Sequence, residues 1–177
     1  MTCIVGIEDG GDVVLGADSG IGWANGLRDR MRGKIWMRDG VGVGDAGTVR
    51  AGQILFYELT IPPQPSGMGD LEWITRRLTA AIATELDEAD EEGTSIIIAL
   101  NGCVYEVGSD GCVHRSPRGY TAIGSGCEVA LGALHATRSV PADRRARTAV
   151  ACAIEHVSSC GLPIEVLRVP SRKRRRK

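Results

Sequence analysis

Short apolar runs separated by turns rich in glycine and aspartate open the chain. Residues 2–7 (TCIVGI) and 13–17 (VVLGA) lie on either side of "EDGGD", whose residue types suit a hairpin loop. A basic loop, "GLRDRMRGK", is expected next, and two further apolar segments, 35–37 and 41–43, flank "RDG". The pattern predicts four strands, expected to pair as one antiparallel sheet.

The apolar period then lengthens. Residues 48–59 predict a helix that stops before "IPPQPSG", because proline lacks the N–H and clashes with the preceding turn. Asp70 is expected to cap a second helix, in which Leu71, Ile74, Leu78, Ile82 and Leu86 fall on one face. That helix runs into "DEADEEG", and carboxylates are unfavourable at the negative end of a helix dipole, so the acidic segment should fray it. Strand patterns return in "TSIIIAL", "CVYEV", "CVHR" and "YTAIG", with "NG" and "SDG" as turns, expected as a second antiparallel set. Helices are predicted over 127–137 and 142–159, with Pro141 where a missing N–H does no harm. "PIEVLRV" predicts a last strand. This order fits an α+β fold of four layers (αββα), two antiparallel sheets packed face to face and flanked by helices.

Composition changes the picture in a few places. The 177 residues are enough for one domain, expected over 2–170, and with only 3 Trp, 3 Tyr and 1 Phe its core must be aliphatic and alanine-rich. The net charge of −1 hides an asymmetry. The last six residues, "RKRRRK", are all basic, and the first 171 carry 15 basic against 22 acidic side chains. Residues 171–177 therefore read as a basic, disordered tail. The acidic body argues against a nucleic-acid-binding domain and leaves the tail as the one segment with the charge for that role. The six cysteines (3, 103, 112, 127, 152 and 160) lack zinc-site spacing, and no apolar run approaches the ~20 residues that span a membrane. Without a signal-peptide pattern, the expected address is the cytoplasm, with the cysteines reduced.

Candidate chemistry starts at Thr2, where the first strand begins. A threonine hydroxyl is a poor nucleophile until a base takes its proton. If Met1 is removed, the α-amine of Thr2, with a reference pKa of about 7.7–8.0, can be that base. Asp18 ends the second strand, which in a hairpin lies beside the start of the first. Lys34 is the only lysine in the first 171 residues, among fourteen arginines. Arginine holds its proton permanently, whereas a lysine beside a carboxylate can tune a neighbouring hydroxyl.

Taken together, "TCIVGI", "DVVLGADS", "GKI", "VGVGDAG" and "YTAIGSGCEVALGAL" resemble the proteasome β-subunit superfamily of N-terminal nucleophile hydrolases, most of all the bacterial HslV peptidase. The resemblance runs from residue 2 to about 160. It implies the N-terminal nucleophile hydrolase fold and a threonine endopeptidase working inside a homo-oligomer of two stacked rings, fed by a ring ATPase that unfolds polypeptide substrates. Thr2 would be nucleophile and general base. Lys34 would favour the alkoxide-like transition state and lower the pKa of the amine, with Asp18 orienting it, and Ser125 would hydrogen-bond the amine. The oxyanion donor would be the backbone N–H of Gly44 or Gly47. Ser159 matches a late serine of the family, while Glu155 or His156 would have to replace its late aspartate. No cofactor is implied for peptide hydrolysis, though a monovalent cation held by backbone carbonyls is compatible with the pattern.

Other readings are weaker. "YTAIGSGCEVA" also fits a dinucleotide-binding turn, but no acidic residue ends a following strand about 20 residues on. "GVGVGDAG" lacks the Lys-Ser/Thr of a phosphate loop. A non-catalytic shell subunit would not need Thr2, Asp18, Lys34 and Ser125 together. A hydrolase of small amides would use the same catalytic group. His114 and His135 read as surface residues, and Trp23 as a packed aromatic or part of a channel lining.

Overall fold

Among the described residues every pairing between named strands is antiparallel, and the longest hairpin places the functional end. The computed structural model describes residues 2–22, 28–30, 33–86 and 93–172; Trp23, most of the basic tail and all of the acidic "DEADEE" segment lie outside them. Strands β1 (Ile4–Asp9) and β2 (Asp12–Asp18) form the predicted hairpin, with Ile4 opposite Ala17. A short ribbon, β3 (Gly20–Gly22) with β4 (Arg28–Arg30), follows, so the basic segment expected as a loop contains a strand, held by pairing to β3; then come β5 (Ile35–Arg38) and β6 (Val41–Ala46). After the first two helices come β7 (Ser95–Leu100), β8 (Cys103–Val107), β9 (Val113–His114) and β10 (Tyr120–Ile123); β11 (Ile164–Val169) closes the order.

The expected grouping of strands needs correction. The first four predicted strands do not make one sheet. One sheet has the order β10-β1-β2-β11 and the other β5-β6-β7-β8-β9. The "YTAIG" strand leaves the second set to pair with β1, Ile4 opposite Ile123, and the last strand pairs with β2. Burial on both faces explains the arrangement. On β1, Ile4 points to the space between the sheets with Leu15, Ile97 and Val104, whereas Cys3, Val5 and Ile7 point to a helical layer.

Four helices cover the outer faces among the described residues. Helix α1 (Val49–Tyr57) is capped by the Thr48 hydroxyl, which accepts from the Ala51 N–H at 3.0 Å. Helix α2 runs through Asp70–Trp73, a π-helical stretch Ile74–Leu78, and Thr79–Glu85; its N-cap is Gly69, not Asp70. Leu55, Trp73, Ile74, Leu78 and Ile82 pack these two helices on Val43, Ile96 and Ile98 of the five-stranded sheet. Helices α3 (Cys127–Ala136) and α4 (Ala142–His156) cover the four-stranded sheet through Leu134 and through Ala130, Ala146, Ala149 and Ala153, small residues that let helix and sheet approach closely. The α+β sandwich is therefore the predicted four layers. Among the described residues, no helix is long and apolar enough to cross a membrane.

Candidate active site

Register alone brings the first group of site residues together. Extending the β1–β10 pairing by two residues past Ile4 and Ile123 sets Thr2 against Ser125, and extending the hairpin by one sets Cys3 against Asp18. The hydrogen bonds follow that geometry. The Thr2 nitrogen donates to Ser125 Oγ at 3.2 Å, and the Asp18 N–H donates to the Cys3 carbonyl at 3.1 Å. Ser125 Oγ lies 2.9 Å from Ser159 Oγ, so Ser159 joins the group through Ser125. Thr2 is buried, at 5 % exposure, yet it lines a cavity of about 250 Å³ with Ala46, Gly47, Thr48, Gly93, Gly124 and Ser125.

Beside it sits a buried ion pair. Lys34 Nζ donates to Asp18 Oδ1 at 2.9 Å and to the Gly20 carbonyl at 2.9 Å, with the two side chains 3 % and 0 % exposed. Removing two charges from water is costly unless each is paired and its remaining hydrogen-bonding capacity is used. Here that condition is met on the carboxylate side. Asp18 Oδ1 also accepts the Cys3 N–H at 2.8 Å, and Oδ2 accepts the N–H groups of Gly20 (3.1 Å) and Gly161 (2.9 Å). The lysine is thus held one residue from Thr2 by a carboxylate that binds the Thr2–Cys3 segment directly. The Lys34 carbonyl accepts the Asp45 N–H at 3.2 Å, which ties the lysine to the end of β6.

The two glycines differ in place. Successive N–H groups along a strand point to opposite edges. Since the Asp45 N–H faces β5, the Gly44 N–H faces β7, within the sheet, and a Cβ on Gly44 would stand 2.9 Å from Ile4 Cγ2. That position offers no donor to the cavity. Gly47 lies past the end of β6, exposed, and on the cavity wall. A side chain there would collide with Thr94, whose Cβ would be 2.9 Å away. Of the late residues, Ser159 reaches the group, while Glu155 and His156 are exposed on the last turn of α4.

Two backbone partners, the Gly20 carbonyl and the Gly161 N–H, were not foreseen from the sequence. Both belong to "SG" or "CG" steps whose mutual approach depends on β11 returning beside β2. Cys3 is the other nucleophile close by, and it is a poor candidate. Burial, then Cys160 and Asp18, push its thiol well above the usual thiol range, so it stays protonated. Its sulfur also lies near the Gly126 carbonyl, away from the cavity lining. Among the described residues, no cluster of three His, Cys, Asp or Glu is placed to hold a metal ion.

A scan against protein-family models finds no match for this sequence, and a search of curated proteins finds none. Solved structures do match. A Thiobacillus denitrificans protein named BPH superposes with a TM-score of 0.78 at 22 % identity, covering 95 % of this chain and 97 % of that one. A second structure of it, in complex with epoxomicin, gives 0.78 at 21 % identity, covering 95 % and 98 %. Eukaryotic HslV from Trypanosoma brucei gives 0.71 at 24 % identity, covering 94 % and 98 %. Anbu, an ancestral β-subunit from Yersinia bercovieri, gives 0.74 at 14 % identity, covering 95 % and 81 %. At such identities the likeness is one of fold, and the fold is that of the proteasome β-type N-terminal nucleophile hydrolases.

Proposed function

We propose that this chain is a threonine endopeptidase whose nucleophile is Thr2 Oγ1 and whose general base is the α-amine of Thr2, freed by removal of Met1. The observation that carries the reading is the convergence of Thr2, Asp18, Lys34, Ser125 and Ser159, drawn from separate segments, at one end of the sandwich beside a cavity. The hydroxyl proton passes to the amine as Oγ1 bonds to the substrate carbonyl carbon. The resulting oxyanion meets the N–H of Gly47 on the cavity wall; removing one such donor typically costs about 2.7–4 kcal/mol of barrier. The ammonium then returns its proton to the leaving amine as the C–N bond breaks, leaving an ester on Thr2. Water, deprotonated by the same amine, hydrolyses the ester. Lys34 supplies a fixed positive charge next to the developing negative one, and Asp18 holds both Lys34 and the Cys3 N–H. Ser125, backed by Ser159, orients the amine.

The same reading includes a homo-oligomeric ring with Thr2 facing an enclosed space, a cytoplasmic address and a ring ATPase as feeder. It requires no cofactor; a monovalent cation on backbone carbonyls is compatible with it. The test is direct. Thr2→Ala should abolish hydrolysis of a fluorogenic peptide without changing assembly size, and Thr2→Ser should keep partial activity. Epoxomicin should occupy the wild-type protein and not Thr2→Ala, as read by intact mass. Full activity in the alanine variant would refute the assignment.

A further inference from the structure

A second cavity, of about 380 Å³, opens beside the first and has no part in the chemistry above. Its walls are mostly apolar: Ile82 and Ala83 from the end of α2, Leu86 just past it, Ile96 from β7 and Val107 from β8. The two cavities lie on either side of one short segment. Gly93 lines the catalytic cavity and Thr94 lines the second, with the Thr94 side chain packed against Gly47. An extended chain advances about 3.3 Å per residue, so a few residues span from one cavity to the other.

Charge narrows the occupant. Asp110 is exposed on the lining. An anionic amphiphile would meet like charge there, whereas a cationic polypeptide would be drawn to it. We propose that this cavity is a substrate subsite, which takes an aliphatic side chain of an extended, cationic polypeptide while another bond of the same polypeptide lies at Thr2. The inference rests on the peptidase reading. Its volume falls within the range of about 300–1,000 Å³ usual for ligand sites, with room for a leucine side chain.

The test reads binding, independent of turnover. Fluorescein-labelled, arginine-containing decapeptides, with one leucine walked along an otherwise Gly/Ser sequence, are titrated against Thr2→Ala protein and followed by anisotropy. Ala83→Trp and Ser109→Trp, added to that background, narrow the cavity from opposite walls at exposed positions. The best leucine peptide should bind at least about tenfold more weakly to either blocked variant, the scale set by burying one aliphatic side chain. Its serine counterpart should bind all three proteins alike. Equal binding of the leucine peptide to open and blocked cavities would overturn the subsite, as would leucine and serine peptides that cannot be told apart on the open one. If leucine-dependent binding holds while wild-type protein hydrolyses nothing, the peptidase reading fails and the peptide-binding cavity stands.

Discussion

Gly124→Ala applies the smallest possible push to the proposed nucleophile. Gly124 has φ of +86°, a conformation that costs an L-residue roughly 1–2 kcal/mol. A methyl at this position would also stand 2.8 Å from the Thr2 carbonyl carbon and 3.2 Å from Thr2 Cβ. Carbon atoms prefer about 3.5–4.0 Å, so Thr2 must retreat by roughly 1 Å. A displacement of ~1 Å between reacting groups costs about a hundredfold in rate. The expected result is a fall of about two orders of magnitude in kcat for a fluorogenic peptide, with a melting temperature lower by several degrees. Rates are compared on assemblies of matched size. Gly132→Ala in α3 is the control: its added methyl meets nothing within 4 Å, so rate is unchanged and stability rises slightly. A Gly124→Ala protein with kcat within about twofold of wild type would refute the placement of Thr2 at the reacting centre.

Two further outcomes follow from the same geometry. Lys34→Arg keeps the charge but must fit a larger, fixed cation between Asp18 and the Gly20 carbonyl, so peptide hydrolysis should fall at least about a hundredfold on assemblies of unchanged size; wild-type rates would remove Lys34 from the mechanism. Brief alkylation at neutral pH, mapped by peptide mass, should label exposed Cys112 and spare Cys3 and Cys160, both held protonated chiefly by burial; early labelling of Cys3 would contradict its packing.

Local pattern carried the longer elements, and the β1–β2 hairpin followed from its loop residues, but the short β3–β4 ribbon was missed because its residues carry no apolar alternation. Strand partnership did not follow. The apolar alternation of residues 120–123 is the same whether they extend the five-stranded sheet or flank β1, and only the need to bury both faces of β1 selects the latter. The choice between Gly44 and Gly47 was hidden for a related reason: it depends on which edge of β6 each N–H faces, and that is set by pairing with β5 and β7. Lys34 stood out because the chain uses arginine nearly everywhere else. Its partners at Gly20 and Gly161 could not, since a backbone donor or acceptor leaves no mark on residue type.

The central claim, that the α-amine of Thr2 is the general base, is tested most directly by the N-terminus of active protein. Intact mass and N-terminal sequencing are run on the assembled fraction that hydrolyses peptide. The account predicts that Met1 is gone and that sequencing begins at Thr2, with activity proportional to the processed fraction. Full activity in protein that retains Met1, where the Thr2 nitrogen is an amide and cannot take a proton, would contradict it.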